Sequence, residues 1–171
     1  MIPKELPAHY LKPGELIVCD EATLVQTVLG SCVSVTFFHR KSRIGAICHG
    51  LLPTCNCNDA CTQNCSEGTR YMNCSIRRMI DELKARGIHH RELEAKVFGG
   101  SDMFRLAESR ISRINVGAQN IRSTLAVLAE YNIHPLAADT GGHDGRKLFF
   151  ISNTGEVLLK RVKRTEIGRI A

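Results

Sequence analysis

Short runs of apolar, β-branched and aromatic residues, each ended by turn-forming residues, recur along most of this chain. Such runs are typical of β-strands of about four to eight residues. The clearest is CVSVTFFH at residues 32–39, and RIGAICH at 43–49 follows it after a polar turn. The other strand candidates are residues 14–20, 23–29, 95–100, 133–139, 147–152 and 156–162. A chain built this way must bury the apolar faces of one or more sheets.

Two segments instead show the three-to-four-residue spacing of a helix. Residues 71–86 place five apolar side chains on one face, and Gly87 after them is a suitable helix end. Residues 115–131 show a similar apolar face. Many strands with two helices predict an α+β fold or a layered α/β sandwich. The chain has 171 residues, no internal repeat and no long linker, so we expect a single domain over residues 1–171.

Eight cysteines are the most unusual feature of the composition. The N-terminus lacks the apolar core of a signal peptide, and no apolar run approaches the ~18–20 residues of a membrane span. We therefore expect a cytoplasmic protein with no direct membrane insertion. In that compartment the cysteines are better interpreted as thiols, metal ligands or catalytic groups than as a disulfide framework.

The formal net charge is +6, and basic residues concentrate at residues 160–164, KRVKR. Nucleic-acid binding would be better supported by basic residues alternating with stacking aromatics, which this segment lacks. The run is therefore predicted to be a solvated strand end, and nucleic acid is not an expected partner. A weaker alternative is electrostatic help in docking on an acidic protein surface.

Cys32 and His49 form the candidate reactive pair. If residues 32–39 and 43–49 form a hairpin with a tight turn at Arg40-Lys41, the two side chains lie directly opposite each other. Opposed Cβ atoms are about 4.5–5.5 Å apart, which allows an imidazole to hydrogen-bond a thiol. A slip of one residue would place them on opposite faces.

This pairing suits nucleophilic catalysis. An ordinary thiol, with a pKa of about 8.5, is mostly protonated at neutral pH, and a neighbouring histidine promotes the attacking thiolate. The same histidine can later protonate a departing nitrogen. The Gly30-Ser31 step before Cys32 can bring backbone N–H groups close to a reacting carbonyl. The residue types alone also allow Cys32 and His49 to be ordinary core residues.

Motifs along residues 14–162 resemble the chemoreceptor glutamine deamidase family, CheD. They are LGSCVSV at 29–35, HGLLP at 49–53, KVFGG at 96–100, Met103-Phe104, Asn115-Val116-Gly117, Asn120, DTGG at 139–142, GRK at 145–147 and TGEV at 154–157. The resemblance implies a three-layer α/β/β sandwich like that of cytotoxic-necrotizing-factor-like cysteine hydrolases. It also implies that Cys32 is the nucleophile and His49 its base.

The activity implied by this resemblance is hydrolytic deamidation of glutamine side chains on methyl-accepting chemotaxis receptors through a thioester. No cofactor is required for that reaction. The implied partners are the receptors' cytoplasmic helices and a CheC-type phosphatase that competes for the same cleft. Hydrolysis of receptor methyl esters would use the same chemistry. The alternatives are an adaptor that binds receptor or phosphatase, and a metal or redox sensor.

A third residue should orient His49. Relatives place a threonine six residues before the cysteine, whereas this chain has Gln26 at that position and Thr27 after it. On a regular strand the two side chains point to opposite faces, so only one can reach His49. We predict Thr27, turned inward by a one-residue bulge before Gly30.

A cysteine-rich loop at residues 54–70 departs from the family pattern. Four thiolates can hold zinc or an iron–sulfur cluster. The predicted ligands are Cys55, Cys57, Cys61 and Cys65, with Cys74 as a spare. Disulfide or redox switching and a variable loop without function are the alternatives.

Overall fold

The computed structural model describes residues 5–55, 67–102 and 115–163. Nine strands follow one another in these residues: β1 Ala8–Tyr10, β2 Leu16–Cys19, β3 Leu24–Leu29, β4 Val33–His39, β5 Ile44–Cys48, β6 Glu94–Gly99, β7 Ala137–Thr140, β8 Gly145–Ile151 and β9 Glu156–Val162. The α-helices are α1 Met72–Ala85 and α2 Val116–Glu130. Single 3₁₀ turns occur at Gly68–Arg70 and His90–Glu92.

The described strands form two sheets. One has four strands in the order β1-β3-β8-β9, and the other has five in the order β2-β5-β4-β6-β7. The pairs β1/β3 and β6/β7 are parallel, and the remaining neighbours are antiparallel. The predicted α+β fold is confirmed.

Alternation along β4 and β5 gives the five-stranded sheet two buried faces. One face packs on α1 and α2 through an apolar cluster that includes Val33, Val35 and Cys48. The other face packs on the four-stranded sheet through smaller clusters around Ile47 and Phe98. The helices therefore lie on one side of the five-stranded sheet and the four-stranded sheet lies on the other.

Helix α1 ends where its sequence predicts. Gly87 has a φ of +78°, a conformation that glycine adopts without strain. Its N–H donates to Lys84 O over 2.9 Å, and the next N–H, of Ile88, donates to Leu83 O over 3.1 Å. These bonds satisfy carbonyls at the end of the helix and direct the chain toward β6.

The predicted hairpin register is wrong by two residues. Thr36 pairs with Ile47, and the loop between β4 and β5 spans four residues, 40–43, rather than a two-residue turn. Arg43 closes it in the left-handed region, with a φ of 57°. A two-residue hairpin turn needs residues that tolerate positive φ, such as Asn-Gly, and Arg40-Lys41 is not such a pair.

One further prediction differs from the structure, and one short strand was not predicted. The strand predicted from residue 133 begins at Ala137, because Ile133 instead packs in the helix-facing core and its N–H donates to Leu128 O over 2.9 Å at the end of α2. The short strand β1 was not predicted, since three residues carry little periodicity. No helix of the described ranges is long and apolar enough to cross a membrane.

Candidate active site

Cys32 lies in the loop that crosses from the four-stranded sheet, at the end of β3, to the five-stranded sheet, at the start of β4. Its half-buried side chain packs between the sheets, against the cluster of Leu29, Phe98 and Leu148. The backbone is held on both sides: Gly100 N–H donates to Cys32 O over 2.8 Å, and Ser101 N–H donates to Gly30 O over 2.9 Å. The thiol is thus presented from a loop that neighbouring segments restrain.

His49 follows β5 directly and is 1% exposed. Val33 and Gly50 exchange backbone hydrogen bonds of 3.1 and 2.9 Å, which extends the β4–β5 register beyond the strands. In that register His49 lies opposite Ser34, two residues from Cys32. Because side chains repeat every two residues, a register error of two preserves the shared face but makes Cys32 a diagonal neighbour of His49.

Thr27, and not Gln26, contacts His49. Thr27 Oγ1 lies 2.7 Å from His49 Nδ1 and 2.8 Å from Leu11 O. A carbonyl oxygen only accepts, so the Thr27 hydroxyl donates to Leu11 and accepts from Nδ1–H of His49. This arrangement assigns the ring proton to Nδ1 and leaves the lone pair on Nε2.

The predicted bulge before Gly30 is wrong. All six residues of β3 pair with β8 in unbroken register, from Leu24 opposite Ile151 to Leu29 opposite Arg146. Thr27 faces inward on a regular strand, and Gln26 is half-buried on the other face. Residues 30–32 therefore link the two sheets without a bulge in β3.

Burial keeps both members of the pair neutral. It lowers the pKa of His49 to about 4, although the Leu11 carbonyl and the charge of Glu15 oppose the shift. It raises the pKa of Cys32 to about 11, opposed by a hydrogen bond from that residue's own backbone N–H. His49 Nε2 is buried and has no hydrogen-bond partner among the described residues. At neutral pH the arrangement offers a thiol and a proton acceptor rather than an existing ion pair.

Asn120 links the loop of Cys32 to the segment after His49. This side chain of α2 is fully buried, and its Nδ2 donates to Ser31 O over 3.0 Å and to Leu51 O over 2.9 Å. Asn120 belongs to the motifs that resemble the family, but its contacts are not predicted by the sequence. The sequence signal that could have indicated its burial is the helical spacing. Asn120 lies three residues after Gly117 and four before Thr124, on the face that α2 buries, and a buried polar side chain needs hydrogen-bond partners.

A cavity of about 300 Å³ adjoins the Cys32 loop. It contains Gly100, whose N–H bonds Cys32 O, and is further lined by Asp102, Asn115, Gly142 and His143. Its volume is at the lower end of the range for small-ligand pockets, enough for an amino-acid side chain to enter.

Three of the four predicted metal ligands, Cys57, Cys61 and Cys65, lie outside the described residues. Within the described ranges, no three His, Cys, Asp or Glu side chains are grouped to hold a metal ion. Cys55 N–H donates to Asn73 Oδ1 over 3.1 Å, and the thiol of Cys74 approaches the same oxygen at 3.4 Å. The metal prediction therefore remains a prediction.

Comparison with known proteins adds an independent result. Residues 51–161 match the family model described as CheD chemotactic sensory transduction. A Geobacter sulfurreducens protein named "Probable chemoreceptor glutamine deamidase CheD 2" is 49% identical over 162 residues, which is 95% of this chain and 94% of the relative. The similarly named protein of Oleidesulfovibrio alaskensis is 39% identical over 91% of this chain and 73% of its own length. The chain therefore belongs to the CheD family.

Proposed function

We propose that this protein is a protein-glutamine glutaminase that converts glutamine side chains of chemotaxis receptors to glutamate and releases ammonia. Membership in a family whose curated relatives are named chemoreceptor glutamine deamidases supports the reaction and the substrate. The structural observation that carries the assignment is the buried His49, oriented by Thr27 and projecting between the sheets where the Cys32 side chain also packs.

In the proposed first half-reaction, His49 Nε2 takes the proton of Cys32 Sγ as the sulfur attacks the carboxamide carbon. The backbone N–H of Cys32, which bonds that residue's own sulfur in the resting protein, would donate to the developing oxyanion once the sulfur attacks. His49 then returns the proton to the amide nitrogen, ammonia leaves, and a thioester remains on Cys32.

In the second half-reaction, His49 accepts a proton from a water molecule that attacks the thioester carbonyl. The C–S bond breaks, Cys32 regains its proton, and the glutamate side chain is released. The carboxamide and one water become a carboxylic acid and ammonia, with no change in oxidation state. Receptor methyl esters would react through the same thioester, with methanol as the leaving group.

The three-layer α/β/β sandwich of cytotoxic-necrotizing-factor-like cysteine hydrolases is the architecture we propose for this site. The cores between helices and sheet and between the two sheets support it. We also propose a single cytoplasmic domain over residues 1–171, with no cofactor in the reaction itself. A zinc ion or iron–sulfur cluster held by the cysteine-rich loop is a separate proposal, supported by the thiolate chemistry of four closely spaced cysteines.

The proposed macromolecular partners are the cytoplasmic helices of the receptors and a CheC-type phosphatase. The cavity lined by Gly100, which bonds the Cys32 backbone, supports entry of a side chain from a protein surface, because its walls at Gly141 and Gly142 have open space where Cβ atoms would stand. A phosphatase that covered this cavity would compete with the receptor.

The defining experiment incubates the protein with a purified receptor cytoplasmic fragment and follows intact mass and ammonia. We expect a gain of about 1 Da for each converted glutamine, with an equal amount of ammonia. A fragment that binds the protein but keeps its mass would contradict the enzyme and favour an adaptor.

A further inference from the structure

Arg146, in β8, is 1% exposed and lies at the centre of a polar network. Its guanidinium donates to Asp139 Oδ1 over 2.7 Å and to Ser101 Oγ over 2.5 Å. It also donates to the carbonyl oxygens of Gly141 and Asp144 over 2.8 and 3.2 Å. One side chain thus joins the end of β7, the turn before β8 and the segment after β6.

This network reaches the nucleophile in two steps. Ser101, which accepts from Arg146, donates its backbone N–H to Gly30 O, and the preceding Gly100 donates to Cys32 O. Ser101 Oγ also donates to Asp144 O over 2.5 Å, so its hydroxyl is held on both sides. The Cys32 loop is therefore bonded to a segment that Arg146 in turn holds.

Two glycines, Gly99 and Gly100, form the segment between Cys32 and Ser101. Gly99 and Gly100 have φ values of +105° and +70°, a region that glycine visits freely and other residues rarely adopt. A side chain at Gly99 would clash with Cys32 O, so the close approach of the two backbones requires glycine. Two consecutive glycines leave the backbone permissive, and the restraint must come from outside them.

Stability alone does not account for a buried arginine. Burying an ion pair costs desolvation, and well-packed apolar replacements are often neutral or stabilising. Asp139 also pairs with Arg161 at the surface over 2.8 Å, so it keeps a cationic partner without Arg146. Arg146, unlike Arg161, also bonds Ser101 and the turn beside the cavity.

We propose that Arg146 is a positioning residue that, through Ser101, fixes the loop carrying Cys32 for attack. The proposal rests on the proposed deamidation, because it assigns Cys32 the nucleophilic role. A displacement of about 1 Å at a reacting group can cost about a hundredfold in rate. Loosening the loop would also admit water to the thiol, and burial is what raises the pKa of Cys32.

The test compares Arg146→Lys and Ser101→Ala with Arg161→Ala in the full chain. Arg161→Ala removes the surface partner of the same Asp139 and serves as the matched control. Turnover of the receptor fragment gives kcat and KM, and iodoacetamide labelling of Cys32, located by peptide mass, reports the thiol without any substrate. Thermal unfolding of each variant gives the folded fraction.

For Arg146→Lys and Ser101→Ala we expect kcat to fall about tenfold or more, with KM changed less than threefold. Labelling of Cys32 at pH 8 should become several-fold faster, because a more hydrated thiol ionises more readily. Arg161→Ala should match wild type in both assays. If Arg146→Lys does not fold, Ser101→Ala decides.

Wild-type kcat and wild-type labelling in folded Ser101→Ala and Arg146→Lys would overturn the proposal. An equal loss in Arg161→Ala would also overturn it, because the effect would then come from Asp139. Labelling of Cys32 does not depend on deamidation, so the two proposals can fail separately. If every protein lacks turnover, wild type included, the proposed function is contradicted. If labelling is unchanged in both variants, the positioning role is contradicted.

Discussion

The two faces of the five-stranded sheet differ sharply at the end that holds the candidate site. On the helix-facing side, Val33, Val35 and Cys48 are fully buried in an apolar core. On the side facing the second sheet, the neighbouring residues Ser34 and His49 carry buried polar atoms with no hydrogen-bond partner among the described residues. An unpaired buried polar group costs about 1–3 kcal/mol. One face of the same strands stabilises the fold, and the other buries polar atoms at a cost in stability.

Two cysteines show what this difference means for reactivity. Burial raises the pKa of Cys48 to about 12 and that of Cys32 to about 11, so acidity hardly separates the two thiols. Their surroundings do: Cys48 is fully buried in the helix-facing core, whereas Cys32 is half-buried on the face that holds His49. Access and a neighbouring base distinguish the candidate nucleophile.

The strongest test replaces each thiol in turn. Cys32→Ala should abolish ammonia release while circular dichroism and thermal unfolding stay close to wild type. Cys48→Ala should retain turnover per folded molecule and lose roughly 1 kcal/mol of unfolding free energy, as core substitutions commonly do. Normal turnover by Cys32→Ala would show that the chemistry lies elsewhere.

Lowering the pH should reduce the unfolding free energy, because His49 is buried in its neutral form on the polar face. The unfolded chain takes up a proton on His49 below about pH 6.5, whereas the folded protein resists until about pH 4. The unfolded state therefore binds more protons between these values, and the folded state loses roughly 3 kcal/mol as pH falls from 6.5 to 4. Above pH 6.5 this contribution should be flat.

Urea unfolding of wild type and His49→Gln across this pH range measures that contribution. The variant should lose less stability on acidification, and His134→Gln, at an exposed histidine, should behave as wild type. Parallel curves for wild type and His49→Gln would show that His49 is not kept neutral by burial.

Substitutions on the two faces of β3 should differ in their effect on kcat, by less than the loss expected for Cys32→Ala. Thr27→Val removes the oxygen that accepts from His49 Nδ1 and should lower kcat about tenfold, because a charge-assisted hydrogen bond forms there as His49 is protonated. Gln26→Leu, on the other face, should stay within twofold. A larger loss in Gln26→Leu than in Thr27→Val, measured by ammonia release, would reverse the assignment.

The cysteine-rich loop should affect the rate least. Elemental analysis of anaerobically purified protein should find about one zinc ion or one iron cluster per chain, and Cys57→Ser/Cys61→Ser should lose it. Turnover should change less than twofold, since no proposed step uses the metal. Cys19→Ser is the matched thiol control, and metal-free wild-type protein would contradict the site.

The sequence placed Cys32 and His49 on the same face of the sheet even though the predicted β4–β5 register was wrong by two residues. Side chains alternate with a period of two, so a hairpin loop misjudged by two residues still left both on the inter-sheet face. The strands and helices with strong periodicity were placed within two residues, as for β9 at Glu156–Val162. Thr27 was preferred for its chemistry, although the bulge invoked to turn it inward does not exist.

Other features depend on contacts that one sequence does not display. Leu11 contributes a backbone carbonyl, which any residue possesses. Asn120 bonds two carbonyls that are 69 and 89 positions away along the chain. Arg146 stands in a strand where a charged residue would ordinarily face water. Their importance comes from the packing of two sheets and a helix, which local patterns do not specify.

The antiparallel pairing of β3 with β8 has a consequence for how the protein is made. Thr27 is held on a strand whose antiparallel neighbour is synthesised more than a hundred residues later. A nascent chain that already contains Cys32 and His49 cannot complete the site until β8 emerges and docks beside β3. A ribosome-bound or proteolysed fragment that ends before residue 145 should therefore contain Cys32 but lack hydrolytic activity. The complete arrangement around Thr27 would then be among the last parts of the fold to form during synthesis.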